Sequence, residues 1–248
     1  MTTNPFERHG IAHLSPSSLR LYREEPAAWV VKYLFRVKDE SGPGAWRGLA
    51  VEKGLDTYLY SGGDGNAAHS AMHTEFERLA TGLADDKTVK ERANLDDFLK
   101  QSIMALSGQP MPLHRQKRIE VRLPGIEVPL IGFVDYEWPQ FGIDLKTTMR
   151  LPSEPQPAHV EQMAVYMQAT GKPFSLLYAT PKKSAVYEVT KDMAVDALER
   201  VQRGANAIRH MLALAETPHD AAAIFSPDMS SFYWSEEMIA KAKEIYSK

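Results

Sequence analysis

The residues most capable of chemistry lie on two apolar segments that a short turn separates. Asp135 lies near the end of the first segment, and Asp144 and Lys146 lie in the second. If the segments are antiparallel strands, we predict that Trp138 pairs with Ile143 across the turn. This register places Asp135 opposite Lys146 and diagonal to Asp144, so that all three side chains share one face of the sheet. A slip of one residue would move Asp135 to the other face.

Two carboxylates and an amine on otherwise apolar strands are costly to bury unless they pair with each other or bind a ligand. A hard cation such as Mg²⁺ accepts one or two carboxylates and keeps water and phosphate oxygens, so Asp135, Asp144 and the Leu145 carbonyl are a sufficient ligand set. Such a metal would activate a water and neutralise charge on a phosphate, while Lys146 would hold the attacking hydroxide or stabilise the transition state. The pattern predicts phosphodiester hydrolysis, with a structural ion pair on an exposed sheet face as the alternative.

The composition restricts the other classes of site. The chain has 248 residues and no cysteine, which excludes disulfides, iron–sulfur clusters and thiolate metal sites. Its 29 Lys+Arg against 32 Asp+Glu give a net charge of −3, which permits a local basic groove but not a uniformly basic surface. Residues 1–10 contain no apolar signal-peptide core, and no apolar run reaches membrane-spanning length. The sequence therefore predicts a cytoplasmic protein with no membrane association.

The elements that must position these residues are predicted by the spacing of apolar side chains. Helical spacing dominates the first 110 residues, with Ser15 as an N-cap and residues 67–106 forming two helices. The order then becomes β-β-β-α-β-β-α, over residues 118–123, 129–138, 143–149, 157–170, 174–180, 185–189 and 191–215. The sequence thus predicts a mixed α/β fold, with a small central mixed β-sheet flanked by helices and preceded by a helical part.

Three short motifs resemble those of one nuclease family. They are Gly132-x-x-Asp135, Asp144-x-Lys146-Thr147 and Gln162-x-x-x-Tyr166. Together they resemble the PD-(D/E)xK nucleases, and within them the branch of RecB-type nuclease domains, CRISPR-associated exonucleases and lambda-type phage exonucleases. The segment from His13 to Trp29 is similar to the opening of RecB-type domains, and that from Arg47 to Glu52 to the motif that precedes their core.

The resemblance implies a restriction-endonuclease-like core over residues 111–217. A helical N-terminal part over residues 1–110 would contribute to the active site, and residues 218–248 would form a C-terminal clasp and helix, all in one compact domain. Relatives with an iron–sulfur cluster place ligands in this C-terminal part. Here the packing of Phe232, Tyr233 and Trp234 would replace the cluster as the clasp.

The resemblance also implies roles for the matching residues. Asp135 and Asp144 would be metal ligands, and Lys146 would be the catalytic lysine. Glu52 stands where many RecB-type members carry a metal-binding histidine and lambda-like members carry glutamate. It would therefore be a further metal ligand of the catalytic set, and the alternative is a solvated helix residue. The cofactor would be Mg²⁺ or Mn²⁺.

Three further residues are candidates for a supporting role. Gln162 and Tyr166 are four residues apart on one helix face, and the family uses this pair beside the active site. The alternative is the polar edge of an amphipathic helix. Glu120 resembles an acidic position upstream of the family's Gly-x-x-Asp. Its predicted pairing with Ile131 leaves it about 13 Å from Asp135, too far to share a metal ion unless a bulge intervenes.

Basic side chains near the predicted site are candidate contacts to a DNA backbone. They are Arg115, Lys117, Arg118 and Arg122 near the first strand, and Lys182 and Lys183 after the fourth. An ordinary solvated loop is the alternative, and for the two lysines it is at least an equal one.

The residues and the resemblance together predict a Mg²⁺- or Mn²⁺-dependent DNA exonuclease of phage or bacterial recombination and repair, in the bacterial or phage-infected host cytosol. The family implies that it works beside a single-strand annealing protein, and the rings of lambda-like relatives imply a homo-oligomer. One alternative is a structure-specific or single-strand endonuclease. Another is a non-catalytic nucleic-acid-binding protein that retains the fold.

Overall fold

The computed structural model describes residues 4–38 and 41–246, so small parts of the predicted N-terminal part and C-terminal clasp (1–3, 39–40 and 247–248) lie outside the described residues. The N-terminal helices are α1 (Pro5–Arg8), α2 (Pro16–Glu24), α3 (Pro26–Tyr33), α4 (Pro43–Tyr60), α5 (Gly65–Ala80), α6 (Asp86–Ala93) and α7 (Leu95–Leu106). The strands are β1 (His114–Val121), β2 (Leu130–Glu137), β3 (Gly142–Thr147), β4 (Phe174–Ala179) and β5 (Ser184–Glu188). The remaining helices are α8 (Pro157–Thr170), α9 (Lys191–Leu214), α10 (Pro218–Ala222) and α11 (Glu236–Tyr246).

Among the described N-terminal helices, α1, α2, α5 and α6 each begin at a residue whose side chain caps the first turn. Ser15 starts α2 through a capping box, because its hydroxyl accepts the Ser18 N–H at 3.1 Å and the Ser18 hydroxyl accepts the Ser15 N–H at 2.9 Å. Three helices rather than two occupy residues 65–106, so that prediction was wrong. Asp85 caps the first turn of α6, and Asn94 ends α6 and precedes α7, which divides the segment.

The sheet contains five strands in the order β1-β2-β3-β4-β5. The β3 and β4 strands are parallel, and the other neighbouring strands are antiparallel. A parallel pair needs a crossover connection, which α8 supplies between β3 and β4. The predicted mixed sheet and the order β-β-β-α-β-β-α are therefore confirmed.

The hairpin of β2 and β3 differs in register from the prediction. Tyr136, not Trp138, pairs with Ile143. The Trp138 ring stacks on Phe141, with centroids 4.8 Å apart, and the backbone N–H of Trp138 donates to the Phe141 carbonyl at 2.8 Å. Trp138 therefore belongs to the turn, which shortens the paired part of the hairpin.

The observed register changes the cross-strand partner of Asp135 but leaves its side chain on the predicted face of the sheet. Continuing the observed register by one pair brings Asp135 beside Asp144 rather than Lys146. The difference is two residues, and side chains alternate with a period of two along a strand. The predicted shared face of Asp135, Asp144 and Lys146 is therefore preserved.

Helices cover both faces of the sheet. On β4, Leu176 and Tyr178 belong to one apolar cluster, whereas Leu177 and Ala179 belong to another. Successive residues of a strand point to opposite faces, so the clusters lie on opposite sides of the sheet. The first cluster includes α2, α3, α8 and α9, and the second includes α4, α5 and α7. Within the part of the chain that the structure describes, no helix is both long and apolar enough to cross a membrane.

The C-terminal segment packs on the first cluster. Trp234 is only 7% exposed, and Tyr233 is partly buried against the same cluster. Phe232 is instead 81% exposed and contacts the Tyr233 ring, with centroids 4.0 Å apart. The predicted packing of this aromatic trio was therefore wrong for Phe232.

Candidate active site

Asp144 and Lys146 lie on β3, the central strand of the sheet. Asp144 is fully buried, and its Oδ2 lies 2.6 Å from Nζ of Lys146. Its other carboxylate oxygen accepts a hydrogen bond from Nε2 of Gln162 on α8 at 3.1 Å. The strand therefore presents a carboxylate that one cation and one helix hold in place.

Asp135 reaches the same place from β2. Its Oδ2 accepts the backbone N–H of Leu145 at 3.0 Å, and its Oδ1 accepts Nε2 of Gln116 at 3.1 Å. The Gln116 amide also donates to Oε1 of Glu52 on α4, so it joins two carboxylates. The four side chains that converge form what we call the carboxylate site: Glu52, Asp135, Asp144 and Lys146.

Gln116 is a residue of this region that the sequence pattern did not reveal. The β1 strand begins four residues before the predicted start at residue 118, and its register with β2 places Gln116 opposite Asp135. The polar composition of residues 114–117 hid this part of the strand. Gln116 has a φ of 44°, in the left-handed region that side-chain-bearing residues rarely adopt. Backbone strain at such a position is typical of functional sites.

The Gly-x-x-Asp and Gln-x-x-x-Tyr motifs pack against each other. The Tyr166 hydroxyl donates to the Phe133 carbonyl at 2.6 Å and accepts Nε2 of Gln162 at 2.6 Å. A Cβ atom on Gly132 would lie 2.6 Å from Cε1 of Tyr166, so glycine is what permits this close approach. Gln162 and Tyr166 are thus placed to orient Asp144 rather than to form only a polar helix edge.

Burial and neighbouring charges together shift the pKa values of the carboxylate site. Burial, followed by the charges of Asp144 and Glu52, raises the pKa of Asp135 well above its usual range. Burial raises the pKa of Asp144, although Lys146 opposes this. Burial also disfavours the charged form of Lys146, but Asp144 and Asp135 outweigh it and raise the pKa of the ammonium group.

Glu52 faces the site from α4, one turn before a second acidic residue. Asp56 is buried and pairs with Arg115 at 2.7 Å. Burial, and then the charge of Asp56, raises the pKa of Glu52 to about 7, although the hydrogen bond from Gln116 opposes this. The Glu52 carbonyl accepts the Tyr136 hydroxyl at 3.4 Å, which connects α4 to β2. Glu52 therefore faces the carboxylate site from a partly buried position on α4.

The carboxylate site offers donors of the type that a hard divalent cation prefers, although oxygens of its three carboxylates do not all lie within 4.8 Å of one another. The anionic donors of the site are carboxylate oxygens, which Mg²⁺ and Mn²⁺ prefer. Oδ2 of Asp144 is buried and accepts no aligned hydrogen bond from the described residues, despite its proximity to Lys146. The Gln116 amide lies between Glu52 and Asp135, where a positive charge would be favoured. A bound cation would offset the repulsion between neighbouring carboxylates, which adds to burial in raising the pKa values of Glu52 and Asp135.

The basic residues predicted to contact DNA from the first strand are each paired with an acidic side chain. The pairs are Arg115–Asp56 at 2.7 Å, Lys117–Glu137 at 2.7 Å, Arg118–Glu120 at 3.2 Å and Arg122–Glu120 at 3.1 Å. This neutralisation leaves the run less attractive to phosphate than its composition implies. Lys182 and Lys183 are exposed in the turn after β4.

Glu120 does not join the carboxylate site. It pairs with Ile131 in the β1–β2 register, as the hairpin predicts. Its carboxylate contacts Arg118 and Arg122. The strained backbone at Gln116 leaves the register the same on both sides, so no bulge brings Glu120 nearer to Asp135.

A cavity of about 550 Å³ opens beside the carboxylate site, and its wall includes Lys146, Arg20 and His159. His159, which the sequence pattern did not single out, has Nδ1 2.7 Å from the Tyr178 hydroxyl. Burial, together with Lys146 and Arg20, lowers the pKa of His159 to about 3, so the imidazole is neutral. The Tyr178 hydroxyl also accepts the Gln156 N–H at 3.1 Å, so it joins His159 to the start of α8. Of the basic groups in the cavity wall, Lys146 contacts Asp144 directly, whereas Arg20 pairs with Glu24 at 3.2 Å.

A comparison with models of protein families identifies the family to which the chain belongs. The family model described as the PD-(D/E)XK nuclease superfamily matches residues 13–232, a range that contains the whole carboxylate site. The chain belongs to this superfamily. Membership confirms the predicted restriction-endonuclease-like fold and identifies the chain as a member of a nuclease superfamily.

Solved structures show the same superfamily fold. A crystal structure described as a "putative exonuclease" from Eubacterium rectale is similar, with a TM-score of 0.56 and 16% identity over 88% of this chain and 87% of that chain. At this identity the likeness shows the fold alone. A structure described as SSO0001 has a TM-score of 0.33 and 20% identity over 53% of this chain and 69% of that chain, a likeness too low to carry an argument. No curated protein matches the chain.

Proposed function

We propose that this chain is a Mg²⁺- or Mn²⁺-dependent DNA exonuclease. The observation that carries the proposal is the convergence of Glu52, Asp135, Asp144 and Lys146 from α4, β2 and β3. Membership of the PD-(D/E)XK superfamily, whose nucleases use divalent metal ions, supports metal-dependent hydrolysis of phosphodiester bonds. The exonuclease description of the similar Eubacterium rectale structure supports attack at DNA ends.

Under this proposal the residues of the site divide into metal ligands, a charged hydrogen-bond donor and a residue that orients a ligand. A metal bound by Glu52, Asp135 and Asp144 would lower the pKa of a water and offset negative charge on the phosphate. The Leu145 carbonyl remains a predicted additional ligand. Lys146 keeps its proton because the aspartates raise its pKa, so it acts as a hydrogen-bond donor and fixed positive charge rather than as a base. Gln162 orients Asp144 through its hydrogen bond.

The cavity beside the carboxylate site is the place where we expect one DNA strand to bind. Arg20 and Lys146 both line it, and although Arg20 pairs with Glu24 at 3.2 Å and Lys146 with Asp144 at 2.6 Å, their groups are positioned to meet a phosphate backbone that enters the cavity. Exposed Lys182 and Lys183 remain candidate contacts. For Arg115, Lys117 and Arg118, contact with the DNA backbone stays a prediction, and their acidic partners would compete with phosphate.

Digestion of end-labelled DNA tests the proposal. Linear duplex and single-stranded DNA labelled at the 5′ or 3′ end should be degraded from an end with Mg²⁺ or Mn²⁺, and EDTA should stop the reaction. Covalently closed circles should remain intact. Lys146→Ala should reduce the rate roughly 10²- to 10³-fold because a preorganised charge is lost. Lys90→Ala, at an exposed lysine of α6, should retain the rate and serves as the matched control.

Other outcomes would favour the remaining functions. Cleavage of closed circles would indicate a structure-specific or single-strand endonuclease. DNA binding without cleavage under either metal would indicate a non-catalytic binding protein that retains the fold. Unchanged cleavage by Lys146→Ala would remove this lysine from the mechanism.

The cellular setting rests on resemblance to the RecB-type and lambda-type branch alone. A place in phage or bacterial recombination and repair, a single-strand annealing partner and a homo-oligomeric ring therefore stay predictions. Light scattering of the purified protein, with and without DNA, measures the oligomeric state directly.

A further inference from the structure

A second group of ligand-type side chains lies on the helices that pack around α4. His69 and His73 belong to α5, and Asp96 belongs to α7. Among the described residues they are the one group of three such side chains whose ligand atoms all lie within 4.8 Å of one another. Nε2 of His73 lies 2.8 Å from Oδ1 of Asp96, and Nε2 of His69 lies 3.1 Å from the same oxygen. This group shares no residue with the carboxylate site.

The geometry of the group favours a shared ligand. His69 and His73 are four residues apart, so their rings lie on one helix face, with centroids 4.3 Å apart. Both rings direct Nε2 at a single oxygen of Asp96, although one histidine would suffice for an ordinary surface contact. Bonds of about 2.0–2.2 Å to a tetrahedral ion would place the three ligand atoms roughly 3.3–3.6 Å apart, which needs only small rotations.

The donor set also selects the class of metal. Two imidazole nitrogens and one carboxylate oxygen suit Zn²⁺, Ni²⁺ or Co²⁺, whereas Mg²⁺ prefers oxygen ligands alone. The side chains of His69, His73 and Asp96 are 57%, 32% and 64% exposed, so an ion can reach them and water can fill the remaining positions. A cavity of about 320 Å³ lies beside His69 and Asp96, with apolar Leu99 and Ile103 in its wall.

We propose that His69, His73 and Asp96 bind a borderline divalent transition metal such as Zn²⁺. The ion connects α5 to α7, and both helices pack against α4 in the second apolar cluster. Because α4 carries Glu52, the metal stabilises the layer that presents this carboxylate to the carboxylate site. The proposal does not depend on catalysis.

Calorimetric titration of the untagged protein with Zn²⁺ tests the proposal. An Asp135→Asn background is used so that binding at the carboxylate site is weakened. This protein should bind one Zn²⁺ per chain, and adding His69→Ala and His73→Ala should weaken the affinity at least roughly tenfold. His210→Ala, at an exposed histidine of α9, is the matched control and should leave the affinity unchanged.

A second measurement reports on the connection between the helices. Saturating Zn²⁺ should raise the unfolding midpoint of the Asp135→Asn protein, because a ligand bound only to the folded state stabilises it. The same addition should leave the midpoint of the variant without His69 and His73 unchanged. Equal Zn²⁺ affinity with and without these histidines would overturn the proposal, and so would an absence of Zn²⁺ binding in the Asp135→Asn background.

Discussion

At the residue scale, Glu52 couples the charge of the carboxylate site to stability. Burial and Asp56 hold the pKa of Glu52 at about 7, above its ordinary 4.5. Between these values the folded protein binds a proton that the unfolded chain has released. The metal-free protein is therefore expected to lose stability as the pH rises from about 5 to 8, with up to about 3 kcal/mol from Glu52.

Urea unfolding of chelator-treated protein across this pH range measures the effect. Glu52→Gln should make the profile less steep because it removes one of the carboxyl groups with a raised pKa, while Asp135 and Asp144 remain, and Mg²⁺ or Mn²⁺ should restore stability to the wild type near pH 8. Glu237→Gln, at an exposed residue of α11, should leave the profile unchanged. A Glu52→Gln profile as steep as that of the wild type would contradict the assignment.

Gly132 tests how the two motifs depend on each other. Gly132→Ala would place a Cβ atom 2.6 Å from the Tyr166 ring, so the ring must move and carry Gln162 away from Asp144. We expect a loss of about 1–3 kcal/mol in stability from overpacking, together with reduced nuclease activity. Gly44→Ala is the control, since a Cβ atom there meets nothing within 4 Å. If Gly132→Ala kept wild-type activity on labelled DNA, the position of the Tyr166 ring would not matter for the carboxylate site.

At the element scale, Arg47 fixes α4 to the end of β3. Its Nη2 donates to the Thr147 carbonyl at 3.1 Å, and its Nη1 pairs with Glu91 of α6 at 2.5 Å. The Arg47 side chain is nearly buried and also lies over the Phe98 ring, with 4.7 Å from Cζ to the centroid. The segment from Arg47 to Glu52 therefore carries both an anchor of α4 and a carboxylate of the carboxylate site.

Replacement of Arg47 should therefore affect both stability and activity. Arg47→Ala leaves Glu91 without its buried partner, and we expect a loss of about 3–5 kcal/mol in the free energy of unfolding. Activity should fall as well, because Thr147 follows Lys146 directly. Arg78→Ala removes an exposed ion pair with Glu75 and should leave the unfolding midpoint unchanged. Similar midpoints for the two variants would show that Arg47 is not an anchor.

At the scale of the whole molecule, Trp234 tests whether the C-terminal segment shares one core with the nuclease fold. It is buried in the cluster that includes α8 and α9. Trp234→Ala should cost about 3–5 kcal/mol and lower a single cooperative transition. Phe232→Ala should have almost no effect because its side chain is exposed. A separate early transition in Trp234→Ala, seen by calorimetry, would instead indicate an independent C-terminal unit.

The sequence by itself determined the β-β-β-α-β-β-α order of the core, the mixed sheet and the superfamily. These properties follow from local patterns: the alternation of apolar residues, helix caps such as Ser15, and motifs such as Gly132-x-x-Asp135. The shared face of Asp135, Asp144 and Lys146 was also predictable, because an error of two residues in register does not change the face.

Only the tertiary structure decided which distant groups meet. Gln116 contacts Glu52 across 64 residues of chain, and its strand was hidden by polar residues that form part of the site. The neutralisation of Arg115 by Asp56, across 59 residues, was equally invisible. The approach of His69 and His73 to Asp96 depends on how α5 packs beside α7. Local patterns specify the periodicity of each element, but contacts of this kind depend on how the elements pack, which no short stretch of sequence encodes.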